Sequence, residues 1–266
     1  MSEETLREGG YEAKHFELLA PIEDRYFWFA ARRSLIADLS RTLTARLKPG
    51  YRVLEFGCGG GNVLSAMRQA CPHGLVFGMD LFREGLMFAK SRGNDNLIQA
   101  DAFHPPFRQT FDLVGAFDVV EHLSDDVSIL EKLRTILNPG GHLLLTVPAY
   151  PWLWSDFDRI SHHCRRYTES ELRTKIAAAG FEVVYLSPYM ATILPMVWLH
   201  RKLWSRPGQL NSDGRAEDSM LKSEIRIVPV VNTILRMVLR LESALVASRV
   251  RFPFGTSFVA IARRKD

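Results

Sequence analysis

From Tyr51 onward, short apolar runs alternate with segments whose apolar residues recur every three or four positions. The runs are "YRVLEF", "GLVFGMD", "NLIQAD", "FDLVGAFDVV", "HLLLTVP" and "FEVVYLSP", and each has the length of a buried strand. Between them the spacing predicts helices: one leaving the glycine turn at 57–61 and running to about Ala70, and one over Glu84–Ser91. A third is "SDDVSILEKLRTIL", with Ser124 as its N-cap and Asn138-Pro139-Gly140-Gly141 as its stop. A fourth is "TESELRTKIAAAG", in which Thr168 and Glu171 stand at capping-box spacing. Strands separated by helices predict βαβ units and a doubly wound, mostly parallel α/β sheet.

A last strand pattern, "GTSFVAIARR", lies near the C-terminus. It is separated from the sixth by two apolar-basic helical patterns, Thr192–Trp204 and Ile227–Val250, with the polar stretch "SRPGQLNSDGRAEDS" between them. The organisation expected is therefore an N-terminal helical cover over 1–45, a sheet domain over 46–188 and 254–266, and a helical insert over 189–253.

Composition adds an asymmetry. The chain has 266 residues, and its 47% hydrophobic and 24% charged content is ordinary for a globular protein. From Met190 to Asp266 there are 13 Lys/Arg against 6 Asp/Glu, whereas the first 189 residues hold 21 against 24. A basic tail suits an anionic lipid surface, a nucleic acid or a phosphorylated substrate. Cys58, Cys71 and Cys164 have neither metal-ligand spacing nor a paired framework, and "MSEETLREGGYEAKHFELL" lacks a signal-peptide pattern. A reducing, cytoplasmic setting is expected. Tyr185–Leu199, interrupted by Pro188 and Pro195, is shorter than the ~20 residues a spanning helix needs.

The chemistry concentrates where strands are expected to end. "VLEFGCGGGN" carries a strand into a glycine-rich turn and a helix, so backbone N–H groups can surround a ligand. By itself such a turn is also an ordinary strand-helix connection. Its spacing, Glu55-x-Gly57-x-Gly59-x-Gly61, is not the G-x-G-x-x-G of a dinucleotide site. Glu55, Asp80, Asp101 and Asp118 all fall at carboxyl ends of strands, the ligand edge of an open α/β sheet. So many acids would repel a pyrophosphate and suit a cationic ligand without phosphate.

With these residues the chain resembles the class I S-adenosylmethionine-dependent methyltransferases. The resemblance is carried by "VLEFGCGGGN", "GMD", "ADAFHPPF", "FDLVGAFDVVEHL", "LRTILNPGGHLLLTVP" and "AAAGFEVV", from Val53 to Val184. "RYFWFAARR", "LWSDFD", "HHCRRYTESEL" and "PFGTSFVAIARR" resemble a bacterial subgroup tied to surface-polysaccharide or lipid-linked sugar pathways. The resemblance implies a Rossmann-like sheet of seven strands, the last antiparallel and inserted between the fifth and sixth. It implies S-adenosylmethionine as cofactor, approached by Gly57, Gly59 and Gly61 with Cys58 and Asn62 in the same turn. Glu55 would orient its amino group, Asp80 with Leu81 its ribose, and Asp101, Ala102 and Phe103 its adenine. Phe117 and Asp118 would line the methionine side. Trp28 or Phe29 would cover the pocket, with Arg32 or Arg33 near the cofactor carboxylate.

Methyl transfer is an in-line displacement with a neutral leaving group, so positioning and desolvation can supply much of the catalysis. A hydroxyl acceptor adds the need for a base. His122 and His163 are the candidates, and either could instead brace a loop. Arg165 and Arg166, with Tyr167, could grip an anionic part of the substrate. The alternative is that one arginine pairs with Asp156 or Asp158. No resident metal is expected.

The predicted reaction is methylation of a hydroxyl, or an amine, on a sugar, glycolipid or similar metabolite. A small aromatic or prenylated acceptor is the second enzyme reading, and a cofactor-binding or membrane-docking regulator the non-enzyme one. Nucleic acid is not expected, because the basic charge lies in an amphipathic segment and not beside a base-recognition motif. The insert is expected to pack on its own domain, to dock on the inner face of a membrane, or to form a homodimer. Ile227, Val231, Ile234, Leu235, Val238, Leu241, Leu245 and Val246 share one helical face there.

Overall fold

The computed structural model describes residues 22–107, 110–204 and 228–265. Seven strands form one sheet in the order β3-β2-β1-β4-β5-β7-β6. They are β1 (Arg52–Phe56), β2 (Leu75–Asp80), β3 (Leu97–Gln99), β4 (Phe111–Phe117), β5 (Leu137–Pro148), β6 (Phe181–Tyr189) and β7 (Ser257–Arg264). β1 to β5 pair in parallel, and β7 runs antiparallel to both β5 and β6. The expected seven-stranded, mostly parallel fold with its inserted last strand is thus borne out.

Helices cover both faces. α1 (Phe27–Thr44) and α2 (Asn62–Ala70) lie on one side with Leu35, Ile36, Leu39, Leu64 and Met67 buried, and α3 (Arg83–Ser91) follows β2. α4 (Asp126–Thr135) and, after the short α5 (Asp156–Ile160), α6 (Glu169–Ala178) lie on the other, with Ile129, Leu133, Leu172 and Ile176 buried. The period-2 alternation of a strand sorts the sheet between the two cores: Val53 and Leu144 face the first, Leu54, Leu143 and Leu145 the second. The insert supplies α7 (Leu194–Trp204) and α8 (Pro229–Ala247). Both leave from the carboxyl ends of the parallel strands, since β6 ends there and the antiparallel β7 begins there.

Two local expectations change. Asp125, not Ser124, caps α4, its carboxylate accepting from Ser128 N at 3.0 Å. The Asn138–Gly141 stretch does not stop that helix; it lies inside β5, with the ladder shifting register between Phe111 and Leu113. The third strand, expected to be short, is three residues long. The N-terminal residues 1–21 and the polar stretch between the insert helices lie outside the described residues.

Candidate functional site

The glycine turn is pinned before any ligand arrives. Gly57 N and Cys58 N both donate to Met79 O, at 2.8 and 3.0 Å, tying the turn to β2. Gly57 sits at φ +73°, and a Cβ there would meet Val119 Cγ2 at 2.5 Å, so only glycine fits. Gly59 N donates to Asp80 Oδ2 at 2.7 Å and Phe82 N to Asp80 Oδ1 at 2.9 Å. The carboxylate at the end of β2 therefore bridges the turn and the start of α3, with the Leu81 backbone also bonded to it. Past β3, Asp101 accepts from Phe103 N at 3.0 Å and half-buries Ala102 and Phe103 beside it. Phe117 closes β4, and Asp118 follows in the left-handed region at φ 55°.

Burial sets the charges of this cleft. Glu55 is 3% exposed and its Oε2 has no hydrogen-bond partner. Desolvation pushes its carboxyl well above the usual range, Asp80 and Glu23 add to this, and Arg32 opposes it. Arg32 reaches in from α1 to pair with Asp118, its guanidinium over the Trp28 ring at 4.9 Å and the Phe29 ring at 5.9 Å. Its Nε is buried without a partner. A lone carboxylate oxygen and a lone guanidinium N–H, both buried, call for an ammonium and a carboxylate. The amino-acid end of S-adenosylmethionine carries both, and its ribose hydroxyls can use the free lone pairs of Asp80. The residues fit that cofactor.

The two neighbouring arginines part company. Arg33 points to Asp24 at 3.2 Å, where Asn62 Nδ2 also donates at 2.7 Å. Arg33 and Asn62 therefore hold Asp24 in the segment before α1, whereas Arg32 pairs with Asp118 at the end of β4. The two are one residue apart, about 100° around the helix, and only packing of α1 decides which one meets Asp118. Tyr189, at the end of β6, was not foreseen: it is wholly buried, with Ser257 and Thr146 beside its hydroxyl, and it lies in the field of Asp118 and Arg32. Its position at a strand's carboxyl end was the available signal.

Beyond Asp118 the chain makes a 3₁₀ turn, Val120–His122, and the loop after β5 folds back on it, Cys164 N donating to Glu121 O at 2.7 Å. The His122 and His163 rings meet edge to face at 4.8 Å. Glu121 is fully buried with neither carboxylate oxygen partnered, and burial pushes its pKa well up. Burial and His163 push His122 down to about 4. Ligand atoms of Glu121, His122 and His163 lie within 4.8 Å of one another, a spacing a cation could also use.

His163 is held from behind. Its Nδ1 is 2.9 Å from Asp158 Oδ1, and its Nε2 faces Glu121 Oε1 at 4.0 Å. Asp158 also receives Arg166 Nε at 2.8 Å, and Ser155 N and Oγ at 2.8 and 3.1 Å. Against the upward push of burial, His163 and Arg166 hold its pKa down to about 2. The arginine grip on substrate is corrected here. Arg166 is 7% exposed and spent on Asp158 and Ala149 O. Arg165 pairs with Asp126 at 2.8 Å and donates to Ser124 O, while the buried Tyr167 donates its hydroxyl to Asp126 Oδ2 at 2.8 Å. Buried cations require partners, and the acids of this loop supply them.

A doubly wound sheet with this strand order, a glycine turn after β1 and acids at the strand tips defines the Rossmann-like fold of class I methyltransferases. The chain belongs to the methyltransferase-domain family, whose profile matches residues 27–186. It is 29% identical over 156 residues to the ubiquinone biosynthesis O-methyltransferase of Marinobacter nauticus, covering 50% of this chain and 65% of that one. It is 29% identical over 154 residues to the trans-aconitate 2-methyltransferase of Deinococcus radiodurans, covering 58% and 57%. The chain thus spans less than two thirds of the length of these relatives. An S-adenosylmethionine-dependent methyltransferase from Clostridium acetobutylicum superposes with a TM-score of 0.56 at 12% identity, over 87% of this chain and 92% of the other. The expected family and fold are borne out, and the matched relatives carry names of acceptors other than a sugar.

Proposed function

We propose that the chain transfers the methyl group of S-adenosylmethionine to a hydroxyl of a sugar, glycolipid or similar small metabolite, with His163 as the base. The observation that carries the reading is the Asp158–His163 hydrogen bond of 2.9 Å, in the loop that folds back on the turn after Asp118. It places the proton on Nδ1 and leaves the Nε2 lone pair to accept. Asp118, three residues before Glu121, links this base to the Arg32 end of the cleft. Bound in the cleft, the cofactor supplies an electrophilic methyl on sulfur. The protein aligns the acceptor oxygen, excludes water with Trp28 and Phe29, and receives the hydroxyl proton at His163 Nε2. His122, held low by burial, serves as the wall against which His163 packs.

Radiolabelled cofactor offered with sugar, glycolipid and aromatic acceptors tests the reading. Transfer to a sugar-bearing acceptor, with His163→Gln lowering kcat and sparing the cofactor KM, supports it. Transfer to an aromatic or prenylated acceptor alone moves the assignment to the second reading, which the Marinobacter relative's name favours. Tight cofactor binding with no acceptor methylated in a native extract leaves a regulator. An amine product with full activity in His163→Gln removes the base.

A further inference from the structure

α8 lies with its polar side inward. Its buried positions are Asn232, Leu239, Glu242, Ser243 and Val246. Asn232 accepts from Phe27 N at 2.9 Å and donates to Arg25 O at 3.0 Å; Ser243 donates to Ala31 O at 3.3 Å. Glu242 accepts from Ala191 N at 2.8 Å and Thr192 Oγ1 at 2.7 Å. These bonds fix the rotation of the helix about its own axis. The outward side is then Val231, Ile234, Met237, Val238, Leu241 and Leu245, with Met237 65% and Leu241 66% exposed. Of the face foreseen from periodicity, only Leu235 and Val246 turn toward the core, and Ile227 lies outside the described residues. A continuous apolar stripe on a helix surface marks a docking site.

Charge selects the occupant. Arg236 and Arg240 are the helix's two cations and both are exposed, whereas its single acid, Glu242, is buried. Asp38 is shared between Arg41 and Arg240, at 2.7 and 3.0 Å, so that cluster stays net positive. Among the described residues no carboxylate pairs with Arg236. A second copy of this face would set arginine against arginine with no exposed acid on the helix to answer. A surface that is apolar beneath and anionic above answers both features. No helix among the described residues is long and apolar enough to cross a membrane, so α8 would lie on the bilayer and not through it.

We propose that the outward face of α8 docks in the interface of an anionic lipid bilayer. α8 is bonded through its inward side to the start of α1, the helix that carries Arg32, so docking would hold that helix one layer from the lipid surface. The inference goes beyond the acceptor assignment and does not use methyl transfer as its readout.

The test is co-sedimentation of the full-length protein with vesicles of phosphatidylcholine, with and without phosphatidylglycerol, at low and high salt. The wild-type protein is expected to bind the anionic vesicles at least about tenfold more tightly and to lose most of this at high salt. M237D/L241D should lower binding by about tenfold or more with its melting temperature unchanged, since both side chains already face water. Arg236→Glu, a single surface change, should lower it severalfold. Equal binding to both vesicle types, or no loss in either variant, overturns the proposal. So does a vesicle-independent dimer that M237D/L241D dissociates, or binding that emerges only when 205–227 is deleted.

Discussion

Replacing Asp158 by alanine removes the acceptor of four donors at a position with no solvent exposure. The most costly consequence is the Arg166 guanidinium, 6% exposed at its side chain, left without its counter-charge. Breaking a buried pair by deleting one partner costs about 3–5 kcal/mol, mostly the price of the charge left behind. With a urea slope of about 3 kcal/mol/M, the unfolding midpoint should fall by about 1–1.7 M. Removing both members, in D158A/R166M, should recover most of that loss. Acid titration supplies a second readout. The folded-state pKa of Asp158 is about 2, below its ordinary 3.8, so folding favours the ionised form. The resulting stabilisation, about 2 kcal/mol at 1.36 kcal/mol per unit, is complete above pH 4 and disappears as pH falls through 2. The difference between wild type and Asp158→Ala should therefore shrink over that window. A single variant that loses under about 1 kcal/mol, or a double variant no better than the single, would refute the buried-charge account.

Three further outcomes follow from the cleft. Arg32→Ala should weaken S-adenosylhomocysteine binding by about tenfold or more in calorimetry, while Arg33→Ala should change it by no more than about twofold; the reverse ranking would displace Arg32 from the pocket. Because burial raises the Glu55 carboxyl well above the usual carboxylate range and an ammonium beside it would lower it again, binding there should expel a proton. Binding enthalpy should then vary with the ionisation heat of the buffer, affinity should rise with pH, and Glu55→Gln should abolish the buffer dependence. Gly61 sits at φ +73°, where a Cβ would come within 2.6 Å of Ala89 Cβ and 2.8 Å of its Cα. Gly61→Ala should cost about 2–5 kcal/mol in denaturant unfolding, and an unchanged midpoint would show that α2 and α3 can separate freely.

Much of the fold was legible along the chain. Strand and helix periods are local, and the glycine turn and strand-tip acids advertise themselves by position, as Glu55, Gly57 and Asp80 do. What lay beyond reach was partnership. Arg32 and Arg33 are adjacent in sequence, yet one meets Asp118, 86 positions away, and the other meets Asp24. "HHCRRY" advertised a polar loop, but whether its arginines would serve a ligand depended on where Asp158 and Asp126 had been placed.

α8 shows the division most plainly. Hydrophobic periodicity determined that Pro229–Ala247 would be a helix with an apolar stripe, because the 3.6-residue repeat is written in the side chains themselves. It left open which way that stripe would turn. Three polar residues, Asn232, Glu242 and Ser243, decided this by finding backbone partners around Arg25, Ala31 and Ala191, far off in the chain. Burying polar groups is favourable only where such partners wait, and only the assembled tertiary structure brings them there.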